Sequence, residues 1–413
     1  MNQKINDMRP SIDRRYENDF QEETNMNELS SNTVRRQLDE LAALRSNGFP
    51  FTSLYLNTQA DQHGRDNFAP FVRKELSRRV KSFAPGSEER ASFEHDVERI
   101  WNYLDNDLRA SANGLAIFAS SGAGGYFKAI QFDAPIQKNE VHVSDSPHLY
   151  PLAHLIDSYP RYIALVTDTD MARLFVFELG RTKRTKELDN TGHSLAPDGV
   201  RTQLRYRRRL EKYNLLHAKE VAGMLERVVR EEGADHVILG GDDLIIPLLR
   251  EQLPVQVSDK IIEVLRMDIR TPEHEILKAT MAALRDDNIQ TDAEKVIELL
   301  DKNSSGGLAV MGIGRTLNAL ELGQVDEVLI SVPIEEIRFS DEFDEGLASE
   351  LKNADAPTDA GENNGEGKLT PEILADRLIS LARSTNAAIT FIEDAALLSD
   401  VGGVGAFLRY RAW

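Results

Sequence analysis

The sequence predicts an α/β protein built of three successive α/β domains. Short runs of β-formers alternate with segments of helical period from Phe51 to Tyr410, the pattern of sheets covered by helices. At 413 residues the chain is long for a single core. Two polar stretches, 181–202 and 340–368, break the alternation and mark where loops or inserts are expected.

Composition sets the class. A hydrophobic fraction of 41% and a charged fraction of 28% are those of a soluble globular protein. No apolar run approaches the ~20 residues that a membrane span needs. Cysteine is absent, which removes disulfides, thiolate catalysis and cysteine-based zinc sites and suits a reducing cytoplasm. The first 32 residues are polar, acidic and Asn-rich from Glu17 to Glu28, and are expected to be a disordered tail rather than a signal peptide. With a net charge of −19, indiscriminate nucleic-acid binding is unfavourable, so any RNA contact should be local.

Along the chain, Val34, Leu38, Leu41 and Leu44 predict an amphipathic helix ended at Asn47-Gly48. Phe51–Leu56 reads as a strand. Helices are expected over Phe71–Phe83 and Glu88–Leu108, with Ala84-Pro85-Gly86 between them. Gly114–Ala119 and Tyr126–Phe132 read as strands joined by the glycine cluster Ser120–Gly125. An extended segment follows that cluster, so it is a hairpin turn and no phosphate loop. In the middle unit, Tyr162–Asp168 and Ala172–Leu179 form a hairpin around Thr169-Asp170, followed by a polar loop over 181–202. Then comes a long helix to about Glu232, a strand at His236–Gly240, a helix capped by Asp242 or Asp243, and a strand at Lys260–Met267. The third unit begins with two helices, Pro272–Arg285 and Asp292–Asp301. A strand (Leu308–Met311), a helix (Arg315–Leu322) and a strand (Val325–Val332) follow. Residues 340–368 hold nine acidic and two basic residues with four glycines, a flexible acidic insert. A helix (Pro371–Arg383), a strand (Ala387–Ile392) and a closing strand (Val401–Tyr410) complete the chain.

The long helix opens on Arg201-Thr-Gln-Leu-Arg-Tyr-Arg-Arg-Arg-Leu-Glu-Lys212, six of whose twelve residues are basic. From Arg181 to Lys212 there are ten Lys/Arg against four Asp/Glu, a local charge of +6 in an acidic chain. Such a concentration is the electrostatic footprint of a phosphate-binding surface. Helical spacing puts Arg205, Arg208, Arg209 and Lys212 on one face, with Arg207 off it. Other chemistries fit poorly. His142, His148 and His154 are six apart, a spacing that makes them neighbours on neither a helix nor a strand, so no metal is expected. His274-Glu275 lacks the second histidine of a zincin helix, and Gly403-Val404-Gly405 is too close to the end to open a dinucleotide unit. No cofactor is expected.

The order of these units resembles the archaeo-eukaryotic class 1 peptide chain release factor and pelota superfamily, in its divergent bacterial branch. The most specific similarity is Gly402-Gly403-Val404-Gly405-Ala406-Phe407-Leu408-Arg409-Tyr410-Arg411, which resembles the terminal glycine-rich segment of the eukaryotic factor's third domain. Gly307–Val310, Thr316–Gly323 and Val325–Ile330 are similar to that domain's first strand–helix–strand. Leu204-Arg205-Tyr206, Arg208 and Glu211-Lys212 sit where the family's basic helix follows its catalytic loop. The acidic insert falls where the family carries a minidomain. The resemblance covers roughly Gly48 to Trp413. It implies a release-factor N domain (33–157), an RNase H-like middle domain (158–272) and a C domain like that of kink-turn-binding ribosomal proteins (273–413). It also implies a monomer that enters the ribosomal A site and contacts rRNA through Arg201, Arg205, Arg207, Arg208, Arg209 and Lys212. Its third domain would dock a translational GTPase, most plausibly the tRNA-delivering elongation factor, through Gly402, Gly403, Gly405 and Arg409.

The sequence departs from the family at its working tip. A release factor positions water with a Gly-Gly-Gln loop whose backbone N–H stabilises the oxyanion. The corresponding loop here is Pro197-Asp198-Gly199-Val200-Arg201-Thr202-Gln203. Val200 replaces the second glycine and Arg201 the glutamine, while Gln203 lies two residues nearer the helix. Thr191-Gly192-His193-Ser194 is another polar tip in the same loop. The stop-codon motif Asn-Ile-Lys-Ser is missing, and the corresponding Pro85–Ala91 reads Pro-Gly-Ser-Glu-Glu-Arg-Ala. The expectation is therefore ribosome rescue or hibernation rather than codon-specific termination. The alternatives are a peptidyl-tRNA hydrolase using Gly199 and Gln203, and an RNA-binding adaptor that has left the ribosome.

Overall fold

A computed structural model of the chain describes residues 31–44, 48–59, 68–122, 124–189, 203–338 and 370–410. Residues 1–30 of the N-terminal tail, the 190–202 loop and the acidic insert at 340–368 lie outside the described residues, while Ser31 and Asn32, expected in the tail, open the first helix. Three sheets organise the rest, and the α/β class is as the sequence predicts.

The first sheet has the order β3-β2-β1-β4. β1 (Phe51–Asn57), β2 (Gly114–Ser120), β3 (Tyr126–Phe132) and β4 (Glu140–Ser144) are antiparallel throughout. β1 and β2 are buried on both faces. One face packs on α2 (Phe68–Ser82) and α3 (Glu88–Asn106) through Leu54, Leu56, Val72, Phe93 and Ile100. Ser87 caps α3, its hydroxyl accepting from Arg90 N–H at 3.1 Å, so the helix starts where the Pro-Gly turn releases the chain.

The middle sheet has the order β7-β6-β5-β8-β9. β5 (Tyr162–Thr167) pairs antiparallel with β6 (Met171–Glu178), and β6 with β7 (Arg181–Asp189). β8 (His236–Gly241) and β9 (Ile261–Arg266) add parallel to β5. One face is covered by α5 (Gln203–Glu232) and α6 (Ile245–Gln252) through Val221, Leu225, Val228 and Leu249. Asp242 accepts from Leu244 and Ile245 N–H at 2.9 and 3.0 Å and so starts α6, as expected. A single turn, α7 (Val255–Ser258), leads into β9. β7 is a correction: the segment after β6 forms an edge strand to Asp189, where a loop was expected from Arg181.

The third sheet has the order β10-β13-β11-β12. It comprises β10 (Ala309–Met311), β11 (Val325–Ser331), β12 (Ala388–Ile392) and β13 (Val404–Leu408). α9 (Ile313–Glu321) and α10 (Pro371–Ser384) cover one face. The two helices expected at its start are one, α8 (Glu273–Ser304), 32 residues long. Nothing between Glu273 and Ser304 is Gly or Pro, so Asp286-Asp287-Asn288 does not interrupt it. The first half of α8 packs Ile276 and Leu284 on the middle sheet, and its second half packs Val296 and Leu299 on the third.

The first and third sheets share one apolar core. α1 (Ser31–Ala42) contributes Val34, Leu38 and Leu41, and α4 (Tyr150–Ser158) contributes Leu152 and Leu155. Both meet α10 through Leu374, Leu378 and Ile379. The junction is also polar: Tyr150 Oη donates to Ser331 O at 3.3 Å, and Asp157 Oδ2 accepts from Phe391 N–H at 3.1 Å. Phe391 stands edge-on to Tyr150 at 5.3 Å between ring centres.

Candidate functional site

The basic window divides into two parts with different fates. β7 pairs with β6 and lies beside the C-terminal end of α5, where Glu231 and Glu232 meet its cations. Lys183 Nζ is 2.8 Å from Glu232 Oε2, and Arg184 Nη1 is 2.9 Å from Glu231 Oε2. Arg181 lies 3.7 Å from Asp133. Burial raises the Glu232 carboxyl, but Lys183, Arg184 and Arg161 outweigh it and leave it below its ordinary range. Burial and the neighbouring Arg184 lower the Lys186 ammonium. The β7 cations are therefore neutralised locally, and the +6 of the window is not one continuous patch.

The rest of the positive charge is at the opposite end of α5. Gln203 is its first residue, and Arg205, Arg207, Arg208 and Arg209 lie in its first two turns. Lys212 is exposed, as are Leu210 and Glu211. The first buried residue that follows is His217, whose Nε2 is 3.5 Å from Thr167 Oγ1 at the end of β5. The helix N-terminus itself adds a partial positive charge to this end. Gly199 and Arg201 fall outside the described residues, as do Val200, Thr202 and the Thr191–Ser194 tip, so the loop that leads into α5 has no described geometry.

The C-terminal glycine segment is built for packing. Gly402 and Gly403 have φ of +77° and +79°. A Cβ on Gly403 would stand 2.6 Å from Glu336 O, and one on Gly405 would meet Leu299 Cδ2 at 2.4 Å. All three glycines are buried, so they present no surface to a partner. Among the four residues expected to dock a GTPase, only Arg409 is exposed. Its Nη2 donates to Asn386 O at 2.7 Å and its Nε lies 3.3 Å from Asp326.

A third constellation corrects the reading of histidine spacing. In the β1–β4 register His142 stands opposite Ser53. The chain turns after Ser144, and His148 N–H returns to donate to Ser53 Oγ at 2.9 Å. The rings of His142 and His148 are thereby brought to 3.8 Å between centres, tilted by 36°. Glu140 Oε2 lies 3.3 Å from His142 Nε2, and Asp376 Oδ2 lies 2.7 Å from His148 Nδ1. Six residues apart along the chain did not mean far apart in space. Burial raises Glu140, but His142 and Lys138 outweigh it and hold its carboxyl at about 2. Burial works against a charge on His148, yet Asp376 leaves its pKa raised. His142 goes the other way, lowered by burial and by its charged neighbour His148. His154 does not join them: its Nε2 pairs with Glu393 Oε1 at 2.9 Å.

Residues 147–285, which carry α4, the middle sheet and α5, match the family model of bacterial archaeo-eukaryotic release factor family 10. The match is to that segment, about a third of the chain. No curated protein is significantly similar to it. Among solved structures, the archaeal translation termination factor aRF1 is similar at 16% identity, covering 92% of this chain and 99% of that one, with a TM-score of 0.27. Ribosome-bound archaeal Pelota, described together with ABCE1, is similar at 15% identity over 73% of this chain and 78% of its own, TM-score 0.39. Dom34 of S. cerevisiae, described as a translation termination-like factor involved in RNA quality control pathways and interacting with Hbs1, is similar at 12% identity over 72% and 79%, TM-score 0.37.

Within the release-factor-like segment, sequence reasoning found α5 and its basic start. It missed α4 there and β4 just ahead of the segment, and with them the Glu140–His142–His148 group. The available signal was Glu140-Val141-His142, since alternate residues of a strand share a face. It went unused because β4 had not been read as a strand.

Proposed function

We propose that the protein is a ribosome A-site-binding translation factor of release-factor architecture, acting in ribosome rescue or hibernation and not in stop-codon-specific termination. The observation that carries this reading is the distribution of positive charge in the release-factor-like segment. Glu231 and Glu232 neutralise the β7 cations, whereas Arg205, Arg207, Arg208, Arg209 and Lys212 crowd the start of α5 in a chain of net charge −19. A protein so charged meets RNA phosphate at that helix end and presents acidic surface elsewhere. The replacement of the release-factor tip by Val200 and Arg201 favours occupancy over hydrolysis.

On this reading the divisions at 33–157, 158–272 and 273–413 correspond to units meeting the decoding region, the peptidyl-transferase region and a translational GTPase. The protein acts in the cytoplasm as a monomer, and the face around Arg409 is where the GTPase would dock. Among the described residues, no helix is long and apolar enough to cross a membrane.

The test is co-sedimentation of the full chain with idle and with stalled ribosomes at low and moderate salt, with translational GTPases probed in the pellet. Ribosome binding that falls steeply with salt and competes with A-site tRNA is the expected outcome. Absence of binding at low salt overturns the reading in favour of an adaptor that does not act on the ribosome.

A further inference from the structure

We propose that Glu140, His142 and His148 form a binding site for a divalent transition cation of the zinc type, which clamps β4 to α10. The three residues offer ligand atoms that all lie within 4.8 Å of one another. Glu140 and His142 project from the same face of β4, and His148 is brought over them by its hydrogen bond to Ser53. The 3.3 Å between Glu140 Oε2 and His142 Nε2 is close to the edge of a tetrahedron whose metal–ligand bonds are about 2.0–2.1 Å. Binding would draw donors that now lie within 4.8 Å of one another in to about that edge length.

The surroundings are those of a built site. His148 is 3% exposed, and its Nδ1 is committed to Asp376 at 2.7 Å. An incoming metal displaces the proton of Nε2 while Nδ1 keeps its own toward Asp376, the carboxylate–histidine arrangement that orients and strengthens a metal-binding imidazole. Asp376 is itself fixed, because its Oδ1 accepts from Leu149 and Tyr150 N–H at 2.7 and 3.1 Å. The second oxygen of Glu140 is held by Lys138 at 3.1 Å, so Glu140 would bind through one oxygen. Two imidazoles and one carboxylate are a donor set used by three-ligand zinc sites, and one that other imidazole-binding first-row ions share. The group opens onto a cleft of about 550 Å³ that is also lined by Arg78, Tyr150 and Glu372, leaving room for a water as fourth ligand. Asp376 belongs to the third unit and the three ligands to the first, so an ion here would tighten the shared core.

The experiment uses tag-free full-length protein, stripped with chelator and titrated with ZnCl₂ by calorimetry, with Co²⁺ as a spectroscopic probe. One equivalent of zinc should bind, and Co²⁺ should develop the visible d–d absorption of a four-coordinate site. His142→Ala and Glu140→Gln should each weaken zinc binding by about tenfold or more, and Asp376→Asn by roughly 10–100-fold. His95→Ala, an exposed histidine on α3, should leave it unchanged. Because a variant can lose stability by itself, the melting temperature of each protein is compared with and without zinc. A zinc-induced rise should appear in wild type and vanish in Glu140→Gln. Wild-type binding no tighter than that of the Glu140→Gln/His142→Ala double variant, or an equal zinc-induced rise in both, overturns the proposal.

Discussion

His148 Nδ1 lies 2.7 Å from Oδ2 of Asp376, a residue 228 positions further along the chain. The same carboxylate receives the first N–H groups of α4 from Leu149 and Tyr150, so a residue of the third unit caps a helix of the first. Asp376→Ala removes an acceptor from a buried imidazole and from two helix N–H groups at once. Stability should fall by about 2–4 kcal/mol, read as a lower urea midpoint.

Stability should also carry a signature of pH from the junction below α4. Burial raises Asp157 to about 6, against the Phe391 N–H, with His154 and Lys295 lowering it and Glu393 raising it. Burial likewise raises Asp292 to about 6, and the negative charge of Asp157 adds to it. Both carboxyls bind protons more tightly folded than unfolded. Their contribution is complete below about pH 4, the unfolded value, and is lost as pH rises through about 6. Asp157→Asn keeps an acceptor for Phe391 but cannot ionise. Relative to wild type it should gain on the order of 2 kcal/mol between about pH 4.5 and 7.5, measured by denaturant unfolding at each pH. A difference that stays flat across this range contradicts the assignment.

Gly403 is held by geometry and not by a partner. Its φ of +79° disfavours any side chain, and a Cβ would meet a backbone oxygen that cannot swing aside. Gly403→Ala should cost about 2–4 kcal/mol. Gly405→Ala should cost less, because the atom it meets is the end of the Leu299 side chain. Thermal melts of the two variants give the ranking.

For ribosome binding, the double variant Arg208→Glu/Arg209→Glu should weaken co-sedimentation and flatten its salt dependence. Each phosphate interaction that the variant abolishes takes about 0.7–0.9 off the slope of log K against log salt. Lys183→Glu should leave the salt slope unchanged, because that side chain is already paired with Glu232.

Peptidyl-tRNA hydrolysis should be weak or absent. Losing one oxyanion donor typically costs about 10²–10³ in rate, and Val200 and Arg201 stand at the two tip positions. Single-turnover release from programmed ribosomes should be negligible for wild type and for Gln203→Ala alike. Strong wild-type release abolished by Gln203→Ala would establish the hydrolase instead.

Most of the architecture was legible because strands such as Phe51–Asn57 and helices such as α5 carry their period in plain view. The omissions have physical causes. β7 reads Arg-Thr-Lys-Arg-Thr-Lys-Glu-Leu-Asp, an edge strand that closes its charges with ion pairs and has one apolar residue to betray it. α4 is buried nearly all round, from Tyr150 to Ile156, so it has no polar face and no amphipathic period, and Pro151 in its first turn resembles a loop signal. α8 runs through Asp286-Asp287-Asn288, a local run of poor helix formers, because packing on the sheets at either side carries the helix across it. The basic run was visible, but its division into a neutralised strand and a basic helix start depends on Glu231 and Glu232 folding back beside β7. The His142–His148 pairing depends on Ser53, 95 residues before His148 in sequence, and no spacing rule reaches that far.

α8 is, in mechanical terms, a beam about 48 Å long with its two ends bolted to different sheets. Bending it in the middle would break backbone hydrogen bonds with no Gly or Pro to ease the strain. The middle and third units therefore tilt together, and a push felt at one end of the beam arrives at the other as a displacement and not as a local loosening. Severing the chain at residue 272 would leave the apolar stripe of Ile276 and Leu284 without its sheet, so this protein is better interrogated whole than in pieces.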